Sequence, residues 1–152
     1  MAEATETGPG HPTAAKVQER LRELGVDVDV RVLPDSTRTA AEAAAACGCA
    51  LGQIVKSLVF VAGDGEPVIC LWAGDRQVPA GELGLRRASA DEVRDATGFA
   101  VGGVPPLGHD RPLRTIVDDS LRRFERVWCA AGTPHAVFEI ETESLFRAVG
   151  AA

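Results

Sequence analysis

Lysine, aromatic residues and cysteine are all scarce in this sequence. Only Lys16 and Lys56 are lysines among the 16 basic residues of the 152-residue chain, tyrosine is absent, and tryptophan occurs twice. Arginine and lysine are not interchangeable, so a lysine in such a chain marks a position where a compact, titratable ammonium group is useful. Lys16 falls on the polar face of a predicted helix, which leaves Lys56 as the candidate for chemistry.

Long apolar segments are also missing. Even the run at 54–62 is interrupted by Lys56 and Ser57, and a membrane-spanning helix needs about 20 consecutive apolar residues. Residues 1–13 carry glutamates where a signal peptide has positive charge, and no apolar segment follows them. We therefore expect a soluble protein of the cytoplasm with no membrane partner.

The four cysteines do not form a disulfide framework. Cys47 and Cys49 are only two positions apart, and no Cys-x-x-Cys pair is present to begin a zinc site. We expect reduced thiols, as in a cytoplasm, and no metal ion.

Acidic residues outnumber basic ones by 22 to 16, which gives a formal net charge of −6. Non-specific binding to nucleic-acid phosphates depends on clustered lysine and arginine, so this balance argues against a broad nucleic-acid surface and against DNA as a partner. It still permits a local basic patch. Five arginines occur at 111–126, but acidic residues are interleaved with them, which is typical of a solvated helix face.

Hydrophobic periodicity and turn residues divide the chain into helices and strands. Residues 1–12 are polar and predict a flexible lead-in, and residues 13–150 predict one domain. Capping boxes at 39–42 and 89–92 mark two helix starts. The predicted helices are 13–24, 40–47, 89–98 and 143–149, and the predicted strands are 26–32, 55–62, 68–73, 114–117, 127–131 and 136–140. This order predicts an α+β fold with a mixed, mostly antiparallel sheet, and disfavours a doubly wound dinucleotide-binding fold.

Lys56 lies inside a predicted strand. Strand alternation places it on the same face as Leu58 and Phe60, so an ammonium group stands at the end of an apolar row. Such a lysine must reach water along its aliphatic stem, pair with an acceptor, or lose affinity for its proton through desolvation. A strand-end lysine that simply reaches water past Gln53 is the alternative to a lysine that acts on a ligand.

A loop rich in glycine and proline follows the predicted helix that ends at 98. Gly102 and Gly103 permit close approach of the backbone to a ligand, while Pro105 and Pro106 stiffen the segment before Gly108. The loop can form a rigid rim that presents amide donors, although it matches neither a P-loop nor a dinucleotide fingerprint. A plain connector is the alternative.

His135 lies in a tight turn, Ala-Gly-Thr-Pro-His at 131–135, between two predicted strands. An imidazole there can bind a ligand or move a proton, and a plain surface histidine is the alternative. A nucleophilic thiol, Cys129 or Cys70 paired with His135, is a further alternative, although buried strand cysteines more commonly serve as small hydrophobic residues.

Taken in order along the chain, these segments resemble the YbaK/prolyl-tRNA-synthetase-associated domain family of aminoacyl-tRNA editing proteins. The resemblance covers roughly residues 15–150. It is carried by Thr-Ala-Ala-Glu-Ala-Ala at 39–44, Gln-Ile-Val-Lys-Ser-Leu-Val-Phe at 53–60, Ala-Gly-Asp at 73–75, Thr-Gly at 97–98, the loop at 102–108, and Ala-Gly-Thr-Pro-His-Ala-Val-Phe at 131–138. The ordered set, with a lysine inside an apolar strand, makes the resemblance specific.

The resemblance implies a compact mixed sheet, curled almost into a barrel and surrounded by helices, that uses no metal ion or cofactor. It implies that Lys56 is the catalytic residue and that the segment from Gly102 to Pro106 is the family's Gly-x-x-x-Pro loop. It also places a histidine important in some members at His135. Pro105 departs from the family pattern and leaves the shape of the acyl pocket open. The residues expected to bind substrate are Thr39, Ser57, Gly102, Gly103, Pro106, Gly108, Gly132 and His135.

The activity implied is trans-editing, the hydrolysis of the ester that joins a wrong amino acid to tRNA. The leading substrate is tRNA for proline that carries cysteine, alanine or another small residue, and prolyl-tRNA synthetase is a candidate partner. No Ser-His-Asp motif is visible, so substrate-assisted hydrolysis, in which the ribose hydroxyl beside the ester takes part, is the preferred mechanism. A module that binds a tRNA acceptor end or an aminoacyl-like ligand without turnover is the alternative, and a cysteine-dependent acyl hydrolase is a third interpretation.

Overall fold

The computed structural model describes residues 11–150. Residues 1–10 of the predicted lead-in lie outside the described residues, and Pro12 already begins the first helix. The helices are α1 (Pro12–Glu23), α2 (Ala40–Cys47), α3 (Ala90–Thr97) and α4 (Thr142–Ala148), and two 3₁₀ turns span Leu51–Gln53 and Asp119–Arg123. The strands are β1 (Arg31–Val32), β2 (Val55–Ala62), β3 (Pro67–Ala73), β4 (Leu85–Arg87), β5 (Arg114–Val117), β6 (Arg126–Ala130) and β7 (Ala136–Glu141). Within 11–150, no helix is long and apolar enough to cross a membrane.

The strands form two sheets, with the orders β1-β7-β6 and β4-β2-β3-β5. Neighbouring strands are antiparallel except β3 and β5, which are parallel. An isolated parallel bridge between Ile54 and Trp128 joins the start of β2 to β6. The predicted α+β class with a mixed, mostly antiparallel sheet is confirmed, and the two sheets are linked at this bridge without closing into a barrel.

The main core lies between the sheets and is covered by α1 and α4. Val17 and Leu21, four positions apart on α1, face Leu71 of β3 and Phe138 of β7 in one buried cluster, and Leu145 of α4 completes it. Each of these side chains is at most 1% exposed. Burial on this scale stabilises the packing of the two sheets. It therefore also fixes the strands that carry the site.

The two predicted capping boxes are present. The hydroxyl of Thr39 accepts from the amide of Glu42 at 3.1 Å, and the Glu42 carboxylate accepts from the amide of Thr39 at 3.3 Å. Ser89 and Glu92 repeat the arrangement at the start of α3. Gly48 and Gly98 then end these two helices with positive φ angles of 69° and 83°. The capping boxes and the glycine at 98 are local signals, which is why the sequence predicts them well.

The predicted strand at 26–32 is wrong for most of its length. Only Arg31–Val32 pairs as a strand, with β7. Val26 and Val30 are buried as the alternation predicts, but Gln18 of α1 takes the place of a neighbouring strand. Its side-chain amide donates to the Val28 carbonyl at 2.8 Å and accepts from the Val30 amide at 2.7 Å. The alternation therefore reports burial, while the hydrogen-bond partner is a helix side chain.

Strand β4 is absent from the sequence-based prediction. It pairs with 60–62 of β2, and only Leu85 among its three residues is buried. A strand of this length with two exposed arginines has too few residues for a period-two pattern. Its position matters, because it leaves the earlier part of β2 without β4 as a neighbour.

Candidate functional site

A cavity of about 330 Å³ lies beside the first half of β2. Residues of β2, β6 and α2 form its walls, and the segments around Arg87 and Gly102 form its rim. It is mostly apolar, and the lining residues that could contact a polar ligand through side chain or backbone are Thr37, Arg38, Thr39, Lys56, Ser57, Arg87 and Gly102. Concave, largely apolar sites with a few polar groups are typical of small-ligand sites.

Lys56 and Ser57 reach the cavity from opposite faces of β2. Val55 and Val59 belong to the main core, so Ser57 between them points to that side, whereas Lys56 shares the other face with Leu58. Both line the cavity because β4 begins to pair only at residue 60 and leaves the edge of β2 open before it. Neighbouring side chains of one strand can therefore act on one ligand.

The ammonium group of Lys56 donates a hydrogen bond to the main-chain carbonyl of Arg76. Desolvation lowers the pKa of Lys56 from its ordinary value, and the negative charges of Asp75 and Asp118 oppose that effect. Gln53 does not guide the lysine toward water, because its side-chain amide donates to the Arg126 carbonyl at 3.2 Å. An ammonium group that uses one proton on a fixed carbonyl retains two donors for a ligand.

The turn at 74–76, whose Arg76 carbonyl accepts from Lys56, is fixed by contacts of its own. Asp75 forms a two-bond ion pair with Arg123, with nitrogen–oxygen distances of 2.9 and 3.1 Å, and the hydrogen bond from Arg123 lowers the pKa of the Asp75 carboxyl. The buried carboxylate of Asp118 accepts from the Ala73 amide at 3.1 Å. At Gly74 an added Cβ would lie 2.5 Å from the Leu51 carbonyl, so this turn is closely packed. The carbonyl that receives Lys56 is therefore held in place by a network of its own.

Ser57 is the unusual polar group of the cavity. Its hydroxyl oxygen is buried, and within residues 11–150 it has no hydrogen-bond partner. A buried hydroxyl without a partner costs about 1–3 kcal/mol relative to a satisfied one. A ligand that offers a polar group at this point would remove that cost.

The rim of the cavity includes three more residues of interest. Thr39 lines the cavity, but its hydroxyl oxygen also caps α2 by accepting from Glu42. Gly102 has φ +94°, and a Cβ there would lie 3.2 Å from the Cγ of Arg38. The glycine thus permits both the backbone conformation and the packing of the Arg38 stem against the loop.

Gly103 and Gly132 do not line the cavity. The amide of Gly132 donates to the Gly103 carbonyl at 2.7 Å, and a Cβ on Gly103 would lie 2.8 Å from the Gly132 carbonyl group. These two predicted substrate-binding residues instead bring the backbones of the 102–108 loop and the 131–135 turn into direct contact.

The other predicted binding residues also do not line the cavity. Pro106 is buried within the loop, and the carbonyl of Gly108 accepts from Arg20 of α1 at 2.9 Å. A ring nitrogen of His135 lies 3.3 Å from the Leu33 carbonyl, away from the residues that line the cavity. Of the residues singled out in the sequence, the cavity therefore gathers Lys56, Ser57, Thr39 and Gly102, and not Gly103, Pro106, Gly108, Gly132 or His135.

The arrangement for a cysteine nucleophile is not assembled. Cys129 lines the cavity, but burial raises the pKa of its thiol far above the ordinary value. Burial also raises the pKa of Cys70 to about 11, and that thiol packs in a separate cluster around Phe60. With the His135 ring directed to the Leu33 carbonyl, neither thiol has an adjacent base in the described residues.

Sequence reasoning missed Arg38, Arg87 and His109. The two arginines line the cavity but are indistinguishable in the sequence from the many other arginines. The His109 ring donates through Nε2 to the Pro105 carbonyl at 2.7 Å, and burial lowers its pKa. Its position three residues after Pro106 was the available signal for a loop-bracing role.

Comparisons with known proteins identify relatives of this chain. A family model described as the aminoacyl-tRNA editing domain matches residues 34–148. The uncharacterized protein YwhH of Bacillus subtilis (strain 168) is 33% identical over 124 residues, which cover 77% of this chain and 78% of that protein.

Two further comparisons involve prolyl-tRNA synthetases. A proline–tRNA ligase of Bacillus licheniformis is 29% identical over 154 residues, and the match covers 97% of this chain but 24% of the ligase. A solved structure described as a candidate trans-editing enzyme for prolyl-tRNA synthetase is 44% identical, with a TM-score of 0.86, and the match covers 93% of this chain and 94% of that one.

Proposed function

Because the chain belongs to the aminoacyl-tRNA editing domain family, we propose that it is a trans-editing deacylase that hydrolyses the ester of mischarged aminoacyl-tRNA. The observation that carries this proposal is that the Lys56 ammonium and the Ser57 hydroxyl, which has no partner in residues 11–150, line one cavity. The ammonium supplies a positive charge held by the Arg76 carbonyl, and the hydroxyl supplies a polar group for a ligand.

The proposed substrate is tRNA for proline that carries cysteine, alanine or another small residue. The full-length similarity to a candidate trans-editing enzyme and the similarity to proline–tRNA ligases support this choice. A synthetase pocket gains only about 1–3 kcal/mol of discrimination per methylene, so near-isosteric amino acids require a second selection step. A cavity of about 330 Å³ is small enough to provide that step for a small side chain.

In the proposed reaction, water attacks the ester carbonyl carbon, and the bond between that carbon and the ribose oxygen breaks. The products are the free amino acid and the tRNA 3′ hydroxyl, which takes up a proton. The ribose hydroxyl beside the ester positions the water or relays the proton, since none of the described cysteines is paired with a base. The protein contributes position and charge more than a nucleophile.

Lys56 is proposed to contact the carbonyl oxygen or the terminal phosphate of the substrate. Preorganised donors aimed at a developing oxyanion are commonly worth a factor of about 100 to 1,000 in rate. The Arg76 carbonyl fixes the ammonium before substrate arrives, so little reorganisation is needed during the reaction.

The test is a deacylation assay with a panel of tRNAs charged with correct and incorrect small amino acids. We expect the wild type to release a small wrong amino acid from tRNA for proline, and Lys56→Ala to slow that release by at least about 100-fold. Lys16→Ala is the matched control, because Lys16 is the other lysine and lies outside the cavity.

Three results would contradict the proposal in different ways. An unchanged rate of deacylation by Lys56→Ala would show that Lys56 is not a catalytic residue. Tight binding of charged tRNA with no release from any member of the panel would identify a binding module. Loss of activity in Cys129→Ala, with Lys56→Ala active, would indicate a cysteine-dependent hydrolase.

A further inference from the structure

We propose that Arg38 and Arg87 form a phosphate-binding rim that holds the single-stranded 3′ end of tRNA while the aminoacyl group occupies the cavity. The inference deepens the proposed function and rests on it for the identity of the RNA. The rim consists of Arg38, which precedes α2, and Arg87, which ends β4.

The first observation is a reversal of charge. The chain carries 22 acidic residues and a net charge of −6, yet among residues 11–150 no carboxylate lines the cavity, whereas Arg38, Lys56 and Arg87 all do. Field lines from like charges concentrate in a low-dielectric cleft and raise the local concentration of an oppositely charged ligand. This part of an acidic molecule is therefore selective for anions.

The second observation concerns ion pairing. Six arginines of the described chain form ion pairs with carboxylates, namely Arg20, Arg22, Arg86, Arg122, Arg123 and Arg126. The other eight arginines form none within residues 11–150, and of these eight only Arg38 and Arg87 line the cavity. Their guanidinium groups retain their full donor capacity for a planar oxyanion such as phosphate.

The third observation is that both arginines extend from fixed backbone. The stem of Arg38 packs against Gly102, and the preceding Thr37 donates its hydroxyl to the Pro134 carbonyl at 2.7 Å. Arg87 pairs with Phe60 across β4 and β2. Anchored main chain with exposed guanidinium groups limits the entropy lost when a phosphate binds.

The covalent structure of the substrate places phosphates at this rim. An aminoacyl ester sits on the terminal ribose, which a phosphodiester joins to the preceding nucleotide. With the acyl group beside Lys56 and Ser57, that phosphodiester and the next one lie toward the opening, where the two arginines stand. The acidic remainder of the surface then disfavours binding of the RNA elsewhere.

The rim is tested with a fluorescently labelled RNA hairpin that ends in the sequence CCA and carries no amino acid. Its binding is measured by fluorescence anisotropy over a series of salt concentrations. Each phosphate contact to a single strand contributes about −0.7 to the slope of log K against log salt. The double variant Arg38→Gln/Arg87→Gln should therefore flatten the slope by about 1.4 and weaken binding by about 25-fold near 0.1 M salt. Glutamine keeps most of the stem, so packing on Gly102 is retained.

The matched control is Arg111→Gln/Arg114→Gln, which removes two exposed arginines that lie outside the cavity. Its slope should match that of the wild type. An unchanged slope in the rim variant, or an equal change in the control, would overturn the proposal.

Turnover separates this inference from the proposed function. For an active wild type, the ratio of kcat/KM on aminoacyl-tRNA to kcat/KM on an aminoacyl ester of adenosine, which lacks phosphodiesters, should fall by about 25-fold in the rim variant. An equal loss of kcat/KM on both substrates would overturn the proposal that the rim binds phosphate. A wild type that hydrolyses neither substrate but binds RNA with the arginine-dependent slope would overturn the proposed function and support the rim.

Discussion

The structure divides the nine residues that the family resemblance assigns to one site into two groups. Lys56, Ser57, Thr39 and Gly102 line the cavity, whereas Gly103, Pro106, Gly108, Gly132 and His135 do not. In the first group Lys56 and Ser57 contribute polar side chains to the lining, whereas the hydroxyl of Thr39 also caps α2. In the second group the backbones of Gly103 and Gly132 are in close contact, and the Gly108 carbonyl accepts a hydrogen bond from Arg20.

The difference shows that motif residues in one family pattern need not share one task. The hydroxyl of Ser57 lines the cavity and reduces stability, because it is buried without a partner in residues 11–150. Gly103 lies outside the lining and packs closely against Gly132. We therefore expect Ser57→Ala to raise stability and lower activity, and Gly103→Ala to lower stability.

The largest effect on stability is expected from Gly103→Ala. Its new Cβ would lie 2.8 Å from the Gly132 carbonyl group, and its three nearest neighbours are all backbone atoms of Gly132 and Thr133, so no flexible side chain can move aside. We expect the free energy of unfolding to fall by about 2 to 3 kcal/mol in urea denaturation. Gly81→Ala, where an added Cβ meets nothing within 4 Å, is the control and should change it by less than about 0.5 kcal/mol. Equal stability of the two variants would show that the close packing at Gly103 does not contribute to stability.

A second comparison uses two similar ion pairs. Asp75–Arg123 braces the turn that holds Lys56, and Glu92–Arg86 lies at the start of α3 with the same two-bond geometry. We expect Asp75→Asn to lower kcat by about tenfold through misplacement of the ammonium group. The alkaline limb of the pH–rate profile should also move to lower pH, because the Asp75 charge raises the pKa of Lys56.

Glu92→Gln is the matched control for this experiment. It removes one charge from a two-bond ion pair that is more exposed than Asp75–Arg123 and that does not act on the pKa of Lys56. The alkaline limb should therefore stay where it is in the wild type. If both variants shifted the limb by the same amount, the brace would have no specific connection to Lys56.

Ser57→Ala should produce effects of opposite sign in the two measurements. Removal of the unpartnered hydroxyl is expected to raise the free energy of unfolding by about 1 kcal/mol, because a buried polar group without a partner is lost. The same change should raise KM in the deacylation assay. A loss of stability would show that the hydroxyl has a structural role and does not belong to the lining group.

The smallest effect is expected from the pH dependence that His109 contributes. Burial lowers the pKa of His109 below its ordinary 6.5, with Arg20 adding to that effect and the Pro105 carbonyl and Asp110 opposing it. The unfolded chain therefore binds the proton more readily, so the stabilisation is complete above about pH 6.5 and is lost as the pH falls below it. The free energy of unfolding is measured by denaturation at several pH values for the wild type and for His109→Gln, and the difference between them gives the contribution of His109. A difference that does not change with pH would contradict this prediction.

Elements that are specified by signals a few residues long are predicted correctly. The capping boxes that begin with Thr39 and Ser89 are local, and so is the pair of strands β2 and β3 that form a hairpin. The strand predicted at 26–32 is wrong over 26–30, because the apolar alternation there reports burial, whereas Gln18 supplies the hydrogen bonds that a neighbouring strand would supply. A partner ten or more residues away leaves no mark in a local pattern.

The candidate site divides in the same way. Lys56 and Ser57 were identifiable because an apolar strand makes a polar residue conspicuous. Arg38 and Arg87 were not, because they differ from the other unpaired arginines only in lining the cavity, and that position depends on residues distant in the chain.

The sequence by itself determined the α+β class, most element positions, the scarcity of lysine, and the family resemblance that drew attention to Lys56. Periodicity, capping and turn chemistry are properties of neighbouring residues, so the chain carries them before it folds. The tertiary structure alone decided which motif residues meet the cavity, that the Arg76 carbonyl receives Lys56, and that the rim of an acidic molecule is cationic. These depend on distances between segments tens of residues apart, which only the packing of the two sheets establishes.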